Sequence, residues 1–247
     1  MSQQIGYVAL TGLNATMNQV AALTNNLANA NTIGYKAQRP VFQAQPLLGQ
    51  GLATRVDVGA QQDAPDLRSG PIMQTGRNLD VAVNGDGWIG VQASDGTTAL
   101  TRNGSLTISP AGILQTSDGH PVLGSNGAPV TLPPLQSVTI GQDGTISGVL
   151  TGQTPDQVTT LARIFLTNPD KKSIQRRADG LFADSAGNPT PDAQVQLQVG
   201  SLEQSNTDSV GLMLSLIEDT RLFQMQTQLV HMAVNTSQSQ GTPLSLT

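Results

Sequence analysis

A chain of 247 residues, 37% hydrophobic and only 12% charged, is long enough for one large or two ordinary domains. Its net charge of −5 leaves no basic footprint for nucleic acid. The absence of cysteine excludes disulfides and thiolate catalysis and argues against structural zinc. Aromatic residues make up 3% of the chain, so its core must be built from Val, Ile, Leu and Ala.

The N-terminal segment, Ile5 to Asn29, contains no proline. Leu10, Leu13, Met17, Val20 and Leu27 follow a spacing close to a heptad seam, which predicts a helix that packs along another helix. Ala9, Ala15, Ala21, Ala22 and Ala28 add helix propensity. Asn29, Asn31, Thr32 and Gly34 then stop the helix. Met1 to Leu10 lacks both basic residues and an apolar core, so no Sec-type signal peptide is expected. No apolar run approaches the ~20 residues of a membrane span.

From Phe42 to Gly200 the pattern changes. Short apolar runs alternate with Asp-Gly pairs at Asp86, Asp95, Asp118, Asp143 and Asp179, and with Asn-Gly pairs at Asn84, Asn103 and Asn126. Such pairs close hairpins because Asn and Asp tolerate positive φ and Gly adopts it freely. The spacing predicts an all-β unit. Its strands are expected at 79–83, 88–92, 99–102, 106–108, 113–115, 121–123, 137–140, 146–149, 162–166 and 195–199.

Beyond Asp208, a plausible N-cap, the helical period returns. Val210, Met213, Leu214, Ile217, Phe223, Val230 and Val234 are read as one broad face, and Leu212, Leu216, Leu222, Met225, Leu229 and Met232 extend it almost around the helix. A helix apolar nearly all round is buried on several sides or meets several partners. The predicted fold class is α+β, mainly β, with the two terminal helices forming a coiled-coil-like pair around a turn-rich β middle.

Candidate chemical sites reduce to bland readings. Gly85-Asp86-Gly87-Trp88-Ile89-Gly90 matches a dinucleotide fingerprint, but a strand-like stretch follows it where a helix is required. Paired carboxylates, as in a secreted glycan hydrolase, would need two Asp to converge on a cleft, yet nearly half the Asp residues occupy turn positions. His120 and His231 have no partners at metal-ligand spacing. Lys171, Lys172, Arg176 and Arg177 read as a solvated basic loop. No catalytic, cofactor or metal site is expected.

The most informative stretch runs from Leu23 to Lys36. Asn25, Asn26, Asn29 and Asn31 crowd a helix end, where Asn amides compete with the backbone for hydrogen bonds. This stretch resembles the N-terminal signature of bacterial flagellar rod and hook proteins, the axial family. Three further segments resemble the family's blocks in order: Thr75 to Trp88, then Thr101 to Ser105 with Asp118 to Gly124, then Gly200 to Asp208. The resemblance spans about residues 5 to 236. Ile5 to Leu10, Tyr35 to Arg39 and Asp179 to Phe182 are most similar to the proximal-rod subtype; a distal-rod or hook-type subunit is the alternative.

The resemblance implies a structural subunit of the flagellar basal-body rod. It implies that residues 1–36 and 201–247 are a helical polymerisation region and 37–200 a β-rich outer domain. The residues it assigns to helix packing and polymerisation are the seam named above with Asn25, Asn26, Asn29, Asn31, Gly34 and Tyr35, then Leu202, Glu203, Ser205 and Asn206, and on the C-terminal helix Val210, Met213, Leu214, Leu216, Ile217, Phe223 and Val230. Its implied partners are copies of itself, other rod proteins and the flagellar type III export apparatus, with no nucleic acid and no membrane span. Export without a cleaved signal peptide and a place in the rod across the periplasm follow from the same resemblance.

Overall fold

The computed structural model describes residues 2–46, 56–154, 156–187 and 189–239. The chain divides into two compact units. One comprises residues 1–28, 38–64 and 207–247, the other residues 29–37 and 65–206.

The first unit holds α1 (Ser2–Ala28), the paired strands β1 (Gln38–Pro46) and β2 (Val56–Pro65), and α2 (Ser209–Ser239). α1 contains no proline and draws helix propensity from its alanines, and it ends where Asn29 and Thr32 form a turn. In α2 the start is set by Asp208, whose carboxylate accepts the Val210 amide at 3.2 Å, as expected of an N-cap. The two helices pack on each other and α1 also meets β1. Neither β1 nor β2 was expected from the sequence, because neither run shows clean alternation.

The second unit is all β. In chain order it contains β3 (Ile72–Gln74), β4 (Val81–Asn84), β5 (Trp88–Gln92), β6 (Thr98–Thr101), β7 (Leu106–Ile108), β8 (Leu114–Thr116), β9 (Leu135–Ile140), β10 (Thr145–Leu150), β11 (Thr159–Arg163), β12 (Leu166–Thr167), β13 (Ile174–Arg176), β14 (Phe182–Asp184), β15 (Gln196–Val199) and β16 (Ser201–Glu203). A five-stranded sheet runs β12-β5-β6-β14-β13 and a three-stranded sheet β11-β10-β9. Two-stranded pieces join β15 to β4, β16 to β3 and β7 to β8. Period-two alternation sorts the side chains of the larger sheet. Ile89, Val91 and Ala99 face the main core with Val81, Leu106, Leu114, Val122, Ile146 and Ile164. On the other side Trp88 and Leu100 meet Ile174 and Phe182, the Trp88 and Phe182 rings lying 4.7 Å apart.

Most of the expected hairpins form. Gly96, Gly119, Gly127, Gly144 and Gly180 all have positive φ at these turns. The Gly85 to Gly90 stretch is not the expected hairpin: it is a turn between β4 and β5, which pair with other strands and not with each other, and it leads into a strand where a phosphate loop needs a helix. Asn103-Gly104 is a correction. It is no hairpin tip: Gly104 is buried because its backbone lies directly on Val81 and accepts the Val81 amide at 3.0 Å. The expected strand 162–166 is also broken, with Phe165 turning to donate to Leu123 and to accept from Gly90.

The Asp-Gly tips carry a pH dependence. Asp95 is held well below the usual carboxylate range by the Thr97 hydroxyl and by Arg177, and Asp143 is lowered chiefly by the Thr145 hydroxyl. A carboxylate depressed in the folded state stabilises above its unfolded value and loses that stabilisation as pH falls. The urea midpoint of the β unit should therefore drop progressively below about pH 4. Asp95→Asn should flatten part of that slope. An unchanged pH profile in the variant would show that these tips do not contribute.

Candidate functional site

The terminal helices are the first candidate surface. On α2 the apolar residues divide between two faces. Leu212, Leu216, Phe223 and Val230 are half-buried. Val210, Met213, Leu214, Ile217, Leu222, Met225, Leu229 and Met232 are exposed. The sequence reading put Val210 and Phe223 on one face. Thirteen residues are about 3.6 turns, so the two point nearly opposite ways.

The α1 seam divides as well. Leu13, Val20 and Leu27 are half-buried, whereas Leu10 and Met17 are exposed. Among the residues of α1 whose side chains are described, the buried positions belong to small or polar residues, Thr16, Ala22 and Asn26. Thr16 donates its hydroxyl to Gln226 Oε1 on α2 at 3.0 Å. Asn26 explains part of the asparagine cluster: its Nδ2 donates to the Gln38 carbonyl at 2.8 Å and its Oδ1 accepts the Gln38 amide at 2.7 Å. That pairing mimics one rung of a β ladder at the start of β1. By contrast Asn25 and Asn31 are exposed, and Asn29 accepts the Thr32 hydroxyl in the turn.

The remaining candidate residues, Gly34, Tyr35, Leu202, Glu203, Ser205 and Asn206, lie in the β-rich unit. Except for half-buried Asn206 they are buried. Glu203 stands at their centre. Its Oε1 accepts from Lys36 Nζ at 2.6 Å and from the Gly70 amide at 2.9 Å, and its Oε2 accepts from Arg102 Nη1 at 2.9 Å. Lys36, Arg102 and Glu203 are 0%, 2% and 1% exposed. Burial pulls the Lys36 ammonium below its ordinary value, and Glu203 works against that shift. Lys36 also donates to the Arg68 carbonyl at 2.8 Å.

Asn206 completes the cluster. Its Oδ1 accepts the Ala37 amide at 2.7 Å, and its Nδ2 donates to the Asp66 and Arg68 carbonyls at 2.8 and 2.9 Å. Arg176 donates to the Lys36 carbonyl and stacks on Tyr35 and Phe182 at 4.8 and 4.9 Å. The basic stretch 171–177 is therefore not one solvated loop. Arg176 belongs to this cluster, and Arg177 bonds Asp95 and Asp179.

Sequence reasoning had not assigned a role to Lys36, Arg102 or Arg176. One signal for them existed. A chain with only two glutamates places one inside a motif that the resemblance marks, and a carboxylate buried there needs a cation.

An open depression of about 430 Å³ lies in the β unit beside Thr167, Asn168, Asp184 and Asp192. Its two carboxylates serve turns: Asp184 accepts the Ala186 amide and Asp192 the Gln194 amide, both through Oδ1. Among the described residues no group of three or more His, Cys, Asp or Glu side chains is gathered. No described helix is long and apolar enough to cross a membrane.

Three families match successive parts of the chain. "Flagella basal body rod protein" matches residues 7–36, "Flagellar hook protein FlgE/F/G D1 domain" matches residues 82–148, and "Flagellar basal body rod FlgEFG protein C-terminal" matches residues 198–240. The chain is 38% identical to the flagellar basal-body rod protein FlgF of Salmonella typhimurium, over 91% of either chain. It is also 38% identical to FlgF of Escherichia coli, again over 91% of either chain. Against the rod protein FlgG of Bacillus subtilis the figure is 30%, over 91% of this chain and 92% of that protein. The first and third matches cover most of α1 and α2, and the chain belongs to the family of flagellar basal-body rod proteins.

Proposed function

We infer that the chain is a structural subunit of the basal-body rod, of the FlgF or proximal type, and that it assembles through its two terminal helices. The observation that carries this reading is the exposed apolar face of α2, running from Val210 to Met232, with Leu10 and Met17 exposed on α1. Each of these side chains is about half exposed, so covering the rest contributes about 1 kcal/mol per residue. Repeated over many contacts, that is enough to drive association. Heterologous contacts that do not close into a ring generate helical assemblies.

In this reading α1 and α2 pair in a coiled-coil-like manner and polymerise, while the β-rich unit forms the outer part of the subunit. The partners are copies of the chain and other rod proteins. Delivery is by the flagellar type III apparatus without a cleaved signal, into a rod that crosses the periplasm. The 38% identity to FlgF, against 30% to FlgG, supports the proximal over the distal subtype.

Deleting the gene tests the assignment. Non-motile cells are expected, with purified basal bodies that lack the rod beyond its base in electron micrographs. Intact rods and normal swimming would overturn it.

A further inference from the structure

Residues 29–37 follow α1 in the chain but belong to the β-rich unit. Their tertiary hydrogen bonds converge on a segment far away in sequence. Gly34 donates its amide to the Glu203 carbonyl at 2.8 Å, Ala37 to Asn206 Oδ1 at 2.7 Å, and Asn206 donates its own amide to the Tyr35 carbonyl at 3.3 Å. Lys36 is wholly buried, and its only ion-pair partner among the described residues is Glu203. That partner lies 167 positions later.

A buried ammonium without a counter-charge is strongly disfavoured. The Arg68 carbonyl that also receives Lys36 carries no formal charge, and Arg102 and Arg176 add positive charge nearby. Before residue 203 is in place, the segment 29–37 would have to bury Lys36 with Asp66, already paired with Arg68, as the one anion acting on it from nearby.

We propose that Glu203 is a latch that lets residues 29–37 dock only once residues 201–206 have joined the β unit. The docking of the chain directly after α1 then depends on the arrival of the chain directly before α2. On a polypeptide emerging N-terminus first, this keeps 29–37 undocked until the chain is nearly complete. The strands that form the main core do not wait for it, since their partners lie between residues 79 and 199. Asn206 is the second element of the latch. It binds backbone atoms of residues 37, 66 and 68 through one amide side chain, so the entry and exit segments are fixed by residues four positions or fewer apart.

The test is residue-resolved hydrogen exchange on the full-length chain. Glu203→Gln keeps the shape and one accepting oxygen and removes the charge. Protection of the Gly34 and Ala37 amides should fall by about a hundredfold or more. Protection of the Gly90 and Val122 amides, which bond to Phe165 and Leu114 within the core, should stay within a few-fold. Lys36→Met added to Glu203→Gln should restore part of the protection at Gly34 and Ala37, since Arg102 loses its carboxylate in both variants but keeps the Gly85 carbonyl and the Trp88 ring. Asn206→Ala should lower protection at Ala37 alone or with its neighbours, without touching the core amides. Unchanged protection at Gly34 in Glu203→Gln would overturn the latch. So would a uniform loss across all four amides, because the segment would then be inseparable from the core. A local loss that Lys36→Met fails to rescue would overturn the charge-based mechanism as well.

Discussion

Gly104→Ala should destabilise the β-rich unit by about 4 kcal/mol or more, a large part of the ~5–15 kcal/mol that holds a domain folded. A Cβ at residue 104 would stand 1.7 Å from the Val81 carbonyl oxygen and 2.7 Å from its carbon. Both obstacles are backbone, so no side chain can rotate away. Relief requires residues 103–105 to move off β4, which breaks the Val81-to-Gly104 hydrogen bond and opens the core beside fully buried Val81 and Leu106. Gly119→Ala is the control. Gly119 has φ +87° but nothing within 4 Å of an added Cβ, so only the backbone penalty of about 1 kcal/mol applies. Urea titration of both variants separates the two costs. Equal midpoints would show that the backbone around Gly104 gives way easily.

Ile217→Glu combined with Met225→Glu should abolish swimming while leaving the melting temperature of the isolated protein nearly unchanged. Both side chains lie on the exposed arc of α2, and substitutions at such sites usually change stability by no more than about 0.5 kcal/mol. Two carboxylates in a surface that packs against neighbours would be buried without partners, a cost of several kcal/mol at every contact. Leu216→Asp provides the contrast, as does Leu13→Asp on α1. Both residues are half-buried within the chain, so these variants should lose stability in the helical unit and lose assembly together, with the β-rich unit still folded. Normal motility of the Ile217→Glu/Met225→Glu strain would remove the outward face of α2 from the assembly surface.

What could be read from the sequence was local. The Asp-Gly tips at Asp86, Asp95, Asp118, Asp143 and Asp179 announce themselves, because the turn depends on two adjacent residues. The N-cap at Asp208 and the end of α1 at Ala28 are equally local. Besides β1 and β2, the strands that escaped notice, β3, β13, β14 and β16, have three residues each, too few to show an alternation. β16 pairs with β3 more than 120 residues away. The helix faces were misassigned because a helix apolar all round carries no periodicity to read.

The candidate site shows the same limit. Asn26 was marked by its residue type at a helix end, and Asn206 by the family resemblance. That one bonds Gln38 and the other ties Ala37, Asp66 and Arg68 needs the tertiary fold. Lys36 and Glu203 were both within recognised motifs, but a pairing over 167 positions leaves no trace in spacing. Gly104 looked like a hairpin glycine because its neighbour is Asn. Its real constraint is the backbone of β4 above it.

The two apolar faces of α2 also bear on colloidal behaviour. One face meets the rest of its own unit and the other meets solvent, while Glu218, Arg221 and His231 are the chief ionisable groups exposed along it. A net charge of −5 spread over 247 residues offers little mutual repulsion between free subunits. Excluded salts such as sulfate strengthen apolar burial, so precipitation should begin at this helix, with the β-rich unit still native. The property that suits the chain to a densely packed shaft therefore limits how concentrated a pool of unassembled subunits can become.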